Sequence, residues 1–200
     1  MRRRRSDADS SHPVIVAIAG PIGVGKSTVG RGLANRLGYA YISGGEMFRE
    51  IARERGISVT DVNKLAEGDP GFDRDLDRRQ REAARAAGNC VVESRLSGWM
   101  VDADLKIWLR APLEVRAARV ADREGKDVDA AHADLVERER SEWARYKASY
   151  HIDIDDLSPY HLVVDTTRWN ADAIVDALLL LVRAAGQPAA RTRGSEEARS

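Results

Sequence analysis

At 200 residues the chain suits one domain with a real core, and 43% hydrophobic against 32% charged residues is a globular composition. The 32 acidic and 32 basic residues cancel, so net charge directs the protein to neither nucleic acid nor membrane, and no apolar run approaches transmembrane length. The single cysteine, Cys90, excludes an internal disulfide and a cysteine-rich metal site; inside an apolar run it reads as a small buried thiol.

The opening "MRRRRSDADSSHP" is basic, but no apolar stretch follows, so it is not a secretory signal and the expected location is cytoplasmic. Residues 1–12 and 187–200 are polar and without periodicity, which predicts two disordered tails around a domain over 13–186. Four arginines on such an arm make only a weak case for nucleic acid. "VIVAIAG" (14–20) is a continuous β-rich run, as in a strand covered on both faces. Helical character follows from Lys26 to Leu37 and stops at Gly38. "YAYIS" is a second strand, and "EMFREIARER" a helix ending at Gly56. "SVTDVNKLAEG" opens with a serine three residues before an aspartate, an N-cap signal. "PGFDRDLDRRQREAARAAG" is a long polar helix, followed by strands at "CVVES" and "LKIWL". Pro112 opens a helix running to about Glu124, a highly charged helix covers about 128–150, "HLVVDT" is the fifth strand, and Asn170 caps the last helix.

This alternation predicts an α/β fold: a parallel sheet with right-handed crossovers and helices on both faces. Ligands of such sheets bind at the carboxyl ends of the strands. "GPIGVGKST" matches G-x-x-x-x-G-K-[ST] at Gly20, Gly25, Lys26 and Ser27, after a strand and opening a helix, as its mechanism requires. Backbone N–H groups freed by the glycines can curl round phosphates, and the helix N-terminus adds a favourable dipole. Lys26 then reaches the β and γ phosphates, and the Ser27 hydroxyl is suited to magnesium. The motif identifies a nucleoside triphosphate site but not the reaction.

A switch GTPase needs an N-K-x-D-like base reader, which is absent, and motor ATPases need more than 200 residues. A small kinase needs a second anion site and an arginine-rich cover. "SGGEMFR" (43–49) offers the former, with Arg49 about one turn inside a helix. Glu93 and Arg95 in "CVVESRLSGWM" (90–100) leave a buried strand at the end where ligands bind, so Arg95 supplies a second fork for a phosphate clamp. "RVADREG" (119–125) offers the cover: Arg119 and Arg123 share a helical face and repel unless an anion lies between them. Arg138, Arg140 and Arg145 in "ERERSEWARY" add further charge, among glutamates 137, 139 and 142 that could equally make a solvated helix pair. Residue types alone leave open a kinase acting on another small acceptor, and a non-catalytic nucleotide-binding switch.

The motifs "GPIGVGKST", "ISGGEMFR", "FDRDLDRRQ", "VVESRLSGW", "ADLKIWLRAP", "RVADREG" and "RYKASYHIDIDDLSPYHLVVDTT" resemble, in that order, those of the archaeal-type cytidylate kinases, which are nucleoside monophosphate kinases of the P-loop class. The resemblance covers about residues 14–185. It implies a P-loop kinase-type five-stranded parallel sheet with a helical monophosphate-binding section and a closing lid. It also implies phosphoryl transfer from ATP to CMP or dCMP, with Mg2+. Carried over by residue, it implies that Gly20, Pro21, Ile22, Gly23, Val24, Gly25, Lys26, Ser27 and Thr28 hold ATP, and that Arg49 and Arg95 hold the acceptor phosphate. Arg119, Arg123, Arg138 and Arg145 would serve the transferring group, and Glu93 the water shell of the metal. Ser94 stands where such segments carry glycine, and His161 where "YDL" is usual. For base and ribose, the expected readers are Ser43, Asp73, Asp77, Gln80, Asp153 and Asp156, whose amides and carboxylates can pair a base edge or a hydroxyl. A monomer is the expected state.

Overall fold

The five apolar runs form five strands, all parallel, in the order β2-β3-β1-β4-β5: β1 (Ile15–Ala19), β2 (Ala40–Ser43), β3 (Cys90–Glu93), β4 (Leu105–Arg110) and β5 (Leu162–Asp165). This computed structural model describes residues 12–185, so the two expected tails lie outside it apart from His12. Alternation along β1 shows why the runs are continuous. Val16 and Ile18 pack with Val29 and Leu33 of α1 (Lys26–Leu37) and with Ile174 and Leu178 of α8 (Ala171–Ala185). Ala17, between them, faces Val92 of β3 and Ala84 of α4 (Pro70–Ala87). With both faces covered, β1 is apolar on both sides of the sheet.

Helix boundaries follow local chemistry. Gly38, Gly56 and Gly125 end α1, α2 (Gly44–Arg55) and α6 (Leu113–Glu124) in the left-handed conformation that glycine adopts without penalty. Ser58 caps α3 (Val59–Gly68) by accepting from the Asp61 N–H, and Asn170 caps α8 through the Ala173 N–H. Helix α2 starts two residues before its expected "EMFRE" start, because the Ser43 hydroxyl accepts from the Glu46 N–H and draws both glycines into the first turn. The one unexpected element is α5 (Ser97–Met100), a single turn after β3, with no side-chain cap to announce it.

The helices that frame the ligand end hold separate small cores. Phe48 and Ile51 of α2, Val62 and Ala66 of α3 and Phe72 of α4 pack together as one helical section. Ala117, Val120 and Ala121 of α6 pack on Ala131 and Leu135 of α7 (Val128–Tyr150) as a second. These two helical units stand where the acceptor section and the lid are expected, and are called by those names below.

Candidate active site

Strand β1 stops at the switch in strand order, with β3 on one side and β4 on the other, and its carboxyl end runs into the glycine-rich loop. Glycine is required in that loop for two reasons. At Gly20 a Cβ would run into the Leu109 carbonyl of β4, and Gly25 caps α1 at φ 98°, where side chains are strained. A cavity of about 1000 Å³ opens above the loop, lined by α1, α2, α4, the β3 exit, α6 and α7. It lies at the upper end of the small-molecule range, roughly 300–1,000 Å³, so it suits more than one small ligand.

Ile22, Gly23, Val24, Gly25, Lys26, Ser27 and Thr28 all line this cavity, whereas Gly20 and Pro21 lie beneath it and present their carbonyls to Lys26 Nζ at 2.9 and 3.0 Å. Burial pulls the Lys26 ammonium down to about 8; the Glu93 carboxylate opposes the shift and Arg95 adds to it. Glu93 is buried, and three hydroxyls converge on its Oε1: Ser27 from 3.2 Å, Tyr41 from 3.1 Å and Ser43 from 2.5 Å. Burial first, and then that carboxylate, push the Tyr41 phenol up to about 12.

Ser43, expected among the readers of base and ribose, is placed elsewhere. Its oxygen is committed to Glu93 and to the N-terminus of α2, and it is absent from the cavity wall. Asp153 is also outside the wall: it is exposed, and its carboxylate accepts from the Asp155 N–H in a turn. Asp156 does the same for the Ser158 N–H, while Asp73, Asp77 and Gln80 are buried and line the cavity.

All six cavity arginines expected from the sequence line the wall, but they are not equivalent. Arg49 is exposed and Arg138 half-buried, and neither has an ion-pair partner among the described residues. Arg95 donates Nε–H to Glu142 at 2.5 Å and Nη1–H to the Gly20 carbonyl at 3.1 Å, with Glu139 a further 3.8 Å contact. Arg145 donates to Asp73 (3.0 Å), Asn63 and Ser141, which attaches it to the acceptor section rather than to the arginines of α6. The expected repulsion between Arg119 and Arg123 is relieved by separate partners. Arg119 reaches the Thr166 hydroxyl and carbonyl at 2.8 and 2.9 Å, and Arg123 pairs with Glu124. Arg140 is exposed, pairs with Glu137 and leaves the cavity wall altogether.

Several site groups had no sequence signal of their own. Arg116 is buried and grips the Ile22 carbonyl at 3.1 Å and Glu139 at 2.5 Å, tying the phosphate loop to the lid. Phe48 and Tyr146 supply aromatic wall on the acceptor side. Tyr150 donates to Asp77 from 2.5 Å.

A five-stranded parallel sheet, a phosphate loop at its switch point, a second helical section and an arginine-bearing pair of helices define a P-loop kinase. Solved structures agree at the level of fold. The shikimate kinase of Acinetobacter baumannii superposes with TM-score 0.57 at 19% identity, covering 87% of this chain and 95% of that one. The gluconokinase of Sinorhizobium meliloti gives 0.54 at 19%, over 86% and 93%. Sequence narrows the class. The profile of the cytidylate kinase-like family matches residues 15–168. The cytidylate kinase of Halobacterium salinarum is 51% identical over 168 residues, 83% of this chain and 88% of that protein. That of Pyrococcus abyssi is 46% identical over 162 residues, 80% and 89%. The chain belongs to the cytidylate kinase-like family.

Proposed function

We infer that the protein transfers the γ-phosphoryl group of ATP to CMP, and to dCMP, giving ADP and the cytidine diphosphate. An oxygen of the acceptor's monophosphate attacks the γ-phosphorus, that phosphorus parts from the β–γ bridging oxygen, and ADP leaves with the electron pair. The observation that carries this reading is a single cavity running from the phosphate loop to a second, aromatic and arginine-lined pocket, in a chain half identical to proteins named cytidylate kinase.

The chemistry asks the protein mainly for position and charge. Lys26, already turned to the loop, neutralises charge on the β and γ phosphates. Arg49 stands free at the acceptor side and Arg95 at the β3 exit, so two forks approach the acceptor phosphate from different elements. Arg119, Arg123 and Arg138 face the same space from the lid, where closure excludes water and strengthens each charge contact. Arg145, bound to Asp73, braces the acceptor section.

The oxygen donors fit magnesium. Ser27 Oγ and Glu93 Oε1 lie 3.2 Å apart beside the loop, hard ligands of the kind Mg2+ takes while keeping most of its waters. When bound there, Mg2+ would offset charge on the nucleotide phosphates. Among the described residues no helix is long and apolar enough to cross a membrane, and ATP and CMP as substrates support a cytoplasmic location.

An ADP-release assay over a panel of nucleoside monophosphates tests the reading. Acceptor-dependent ADP with CMP and dCMP is the expected result; ATP binding with no acceptor-dependent release would overturn it in favour of a nucleotide-binding switch.

A further inference from the structure

The carbonyls that open the phosphate loop all point at cations. Gly20 accepts from Lys26 Nζ and Arg95 Nη1, Pro21 from Lys26 Nζ, and Ile22 from Arg116 Nη1. Lys26 and Arg95 line the cavity, whereas Arg116 lies outside its wall. The fork of Arg116 is spent on protein instead. Nε–H goes to the Ala111 carbonyl at 3.1 Å, Nη1 to Ile22 and Glu139, and Nη2 to the other Glu139 oxygen at 3.2 Å. Glu139 stands on α7, so this pair of charges joins the loop to both lid helices. Loop and lid also touch directly: a Cβ at Gly23 would come within 2.7 Å of the Arg116 carbonyl oxygen. A trans peptide sets its C=O and N–H in opposite directions, and none of the described peptides is cis. With the Ile22 carbonyl turned outward to Arg116, the Gly23 N–H is turned inward, and no backbone group among the described residues accepts from it.

We propose that Arg116 is a positioning residue for phosphoryl transfer, with Glu139 as its orienting partner: it fixes the Ile22–Gly23 peptide so that the Gly23 N–H meets the phosphates of the donor nucleotide. The inference rests on the ATP reading above and deepens it. Donors aimed in advance at phosphate oxygens cost no reorganisation when charge develops there. A loop peptide held by nothing can flip, and the flipped peptide would present an acceptor, the Ile22 carbonyl, to an anion. Lys26 does not prevent that flip, because it bonds only Gly20 and Pro21 and turns to the phosphates when they arrive. Arg116 keeps its hold in the loaded site, since it lies behind the cavity wall. Glu139 meets the guanidinium with both oxygens, at 2.5 and 3.2 Å, and so fixes the plane that leaves Nη1 on Ile22. A lysine at this position would keep the charge but lose the planar fork.

The test is an NMR titration with ATP of protein isotope-labelled at its glycine and lysine nitrogens, together with steady-state kinetics of Arg116→Lys and Glu139→Gln. In the native protein the Gly23, Gly25 and Lys26 amide protons should all move downfield as they take up phosphate oxygens. In Arg116→Lys the Gly23 movement should vanish while those of Gly25 and Lys26 persist. The same variant should lose roughly tenfold or more in kcat/KM for ATP, the worth of a hydrogen bond to a charged group. Its KM for CMP at saturating ATP should stay within about twofold. Glu139→Gln should shift the Gly23 amide and kcat/KM for ATP in the same direction by less. A Gly23 amide that moves as far in Arg116→Lys as in the native protein overturns the assignment, and so does an unaltered kcat/KM for ATP. Equal damage to both KM values and to every loop amide overturns it too, because that marks a merely structural role. Should the variants fail to fold, the native titration decides: a Gly23 amide that stays in place while Gly25 and Lys26 move refutes the proposal. Native protein in which none of these amides responds would instead refute the ATP reading itself.

Discussion

Replacing Asp77 with asparagine should make the protein more stable at neutral pH, and the structure sets the size and pH window of the gain. Burial drives the Asp77 carboxyl from 3.8 up to about 6; Tyr150 opposes the shift through its hydrogen bond, Asp73 adds to it, and Arg81 opposes it. Its folded value lies above its unfolded one, so the folded state binds the proton more tightly. The favourable contribution is complete below 3.8 and is lost as pH rises through about 6. At about 1.4 kcal/mol per pH unit, that interval corresponds to a cost of about 3 kcal/mol at pH 7.5, or about 1–3 allowing for relaxation. Asparagine is neutral throughout and keeps an acceptor for Tyr150. Urea unfolding of both proteins at pH 4, 5, 6 and 7.5 should therefore show nearly equal stability at pH 4 and a gap favouring the variant that opens through pH 6 and then levels. A gap independent of pH, or a native protein whose stability rises from pH 4 to 7.5 in parallel with the variant, would refute the argument.

Because the free Lys26 ammonium titrates near 8, kcat/KM for ATP should be level below that pH and fall above it, towards tenfold per unit; a profile level to pH 9.5 would exclude the lysine. Lys26→Ala should lower turnover by about two orders of magnitude or more with an unchanged circular dichroism spectrum. Arg49→Ala should raise the KM for CMP far more than that for ATP, since Arg49 has no ion-pair partner among the described residues; Arg95→Ala should in addition lose about 3 kcal/mol or more of stability by stranding the buried Glu142. Amide exchange with a bisubstrate analogue should slow across residues 119–138 but little across 141–150, a stretch already bonded to α3 and α4, and Arg123→Ala should lose turnover while its KM for ATP stays within about twofold.

Features that a few neighbouring residues decide could be read from sequence. The strand runs, the glycine stops, the Ser58 and Asn170 caps and the phosphate loop each carry their signal within eight residues or fewer, and the structure has them all. What escaped is of another kind. Helix α5 is one turn long with no capping side chain, so it offers no pattern to detect. The partners of the arginines lie far along the chain: Glu142 is 47 residues from Arg95, and Asp73 is 72 from Arg145. Spacing on α6 did place Arg119 and Arg123 on one face, yet the groups that relieve their repulsion include Thr166, which only folding brings near. Asp153 is a candidate reader by residue type alone, and the structure places it outside the cavity wall, where it accepts from the Asp155 N–H as aspartates in turns commonly do.

Glu93 takes its orientation from three hydroxyls that arrive on different elements: Ser27 on α1, Tyr41 and Ser43 on β2. In the native pairing Ser43 sits directly beside Glu93 across β2 and β3. A slip of β2 by one residue would turn Ser43 to the opposite face of the sheet. The same slip would strip α2 of its cap and leave a buried carboxylate short of donors. The register of β2 is therefore read out at the site itself, because an edge strand docked one residue out of place leaves Glu93 short of two of its three hydroxyl donors and α2, which carries Arg49, without its cap.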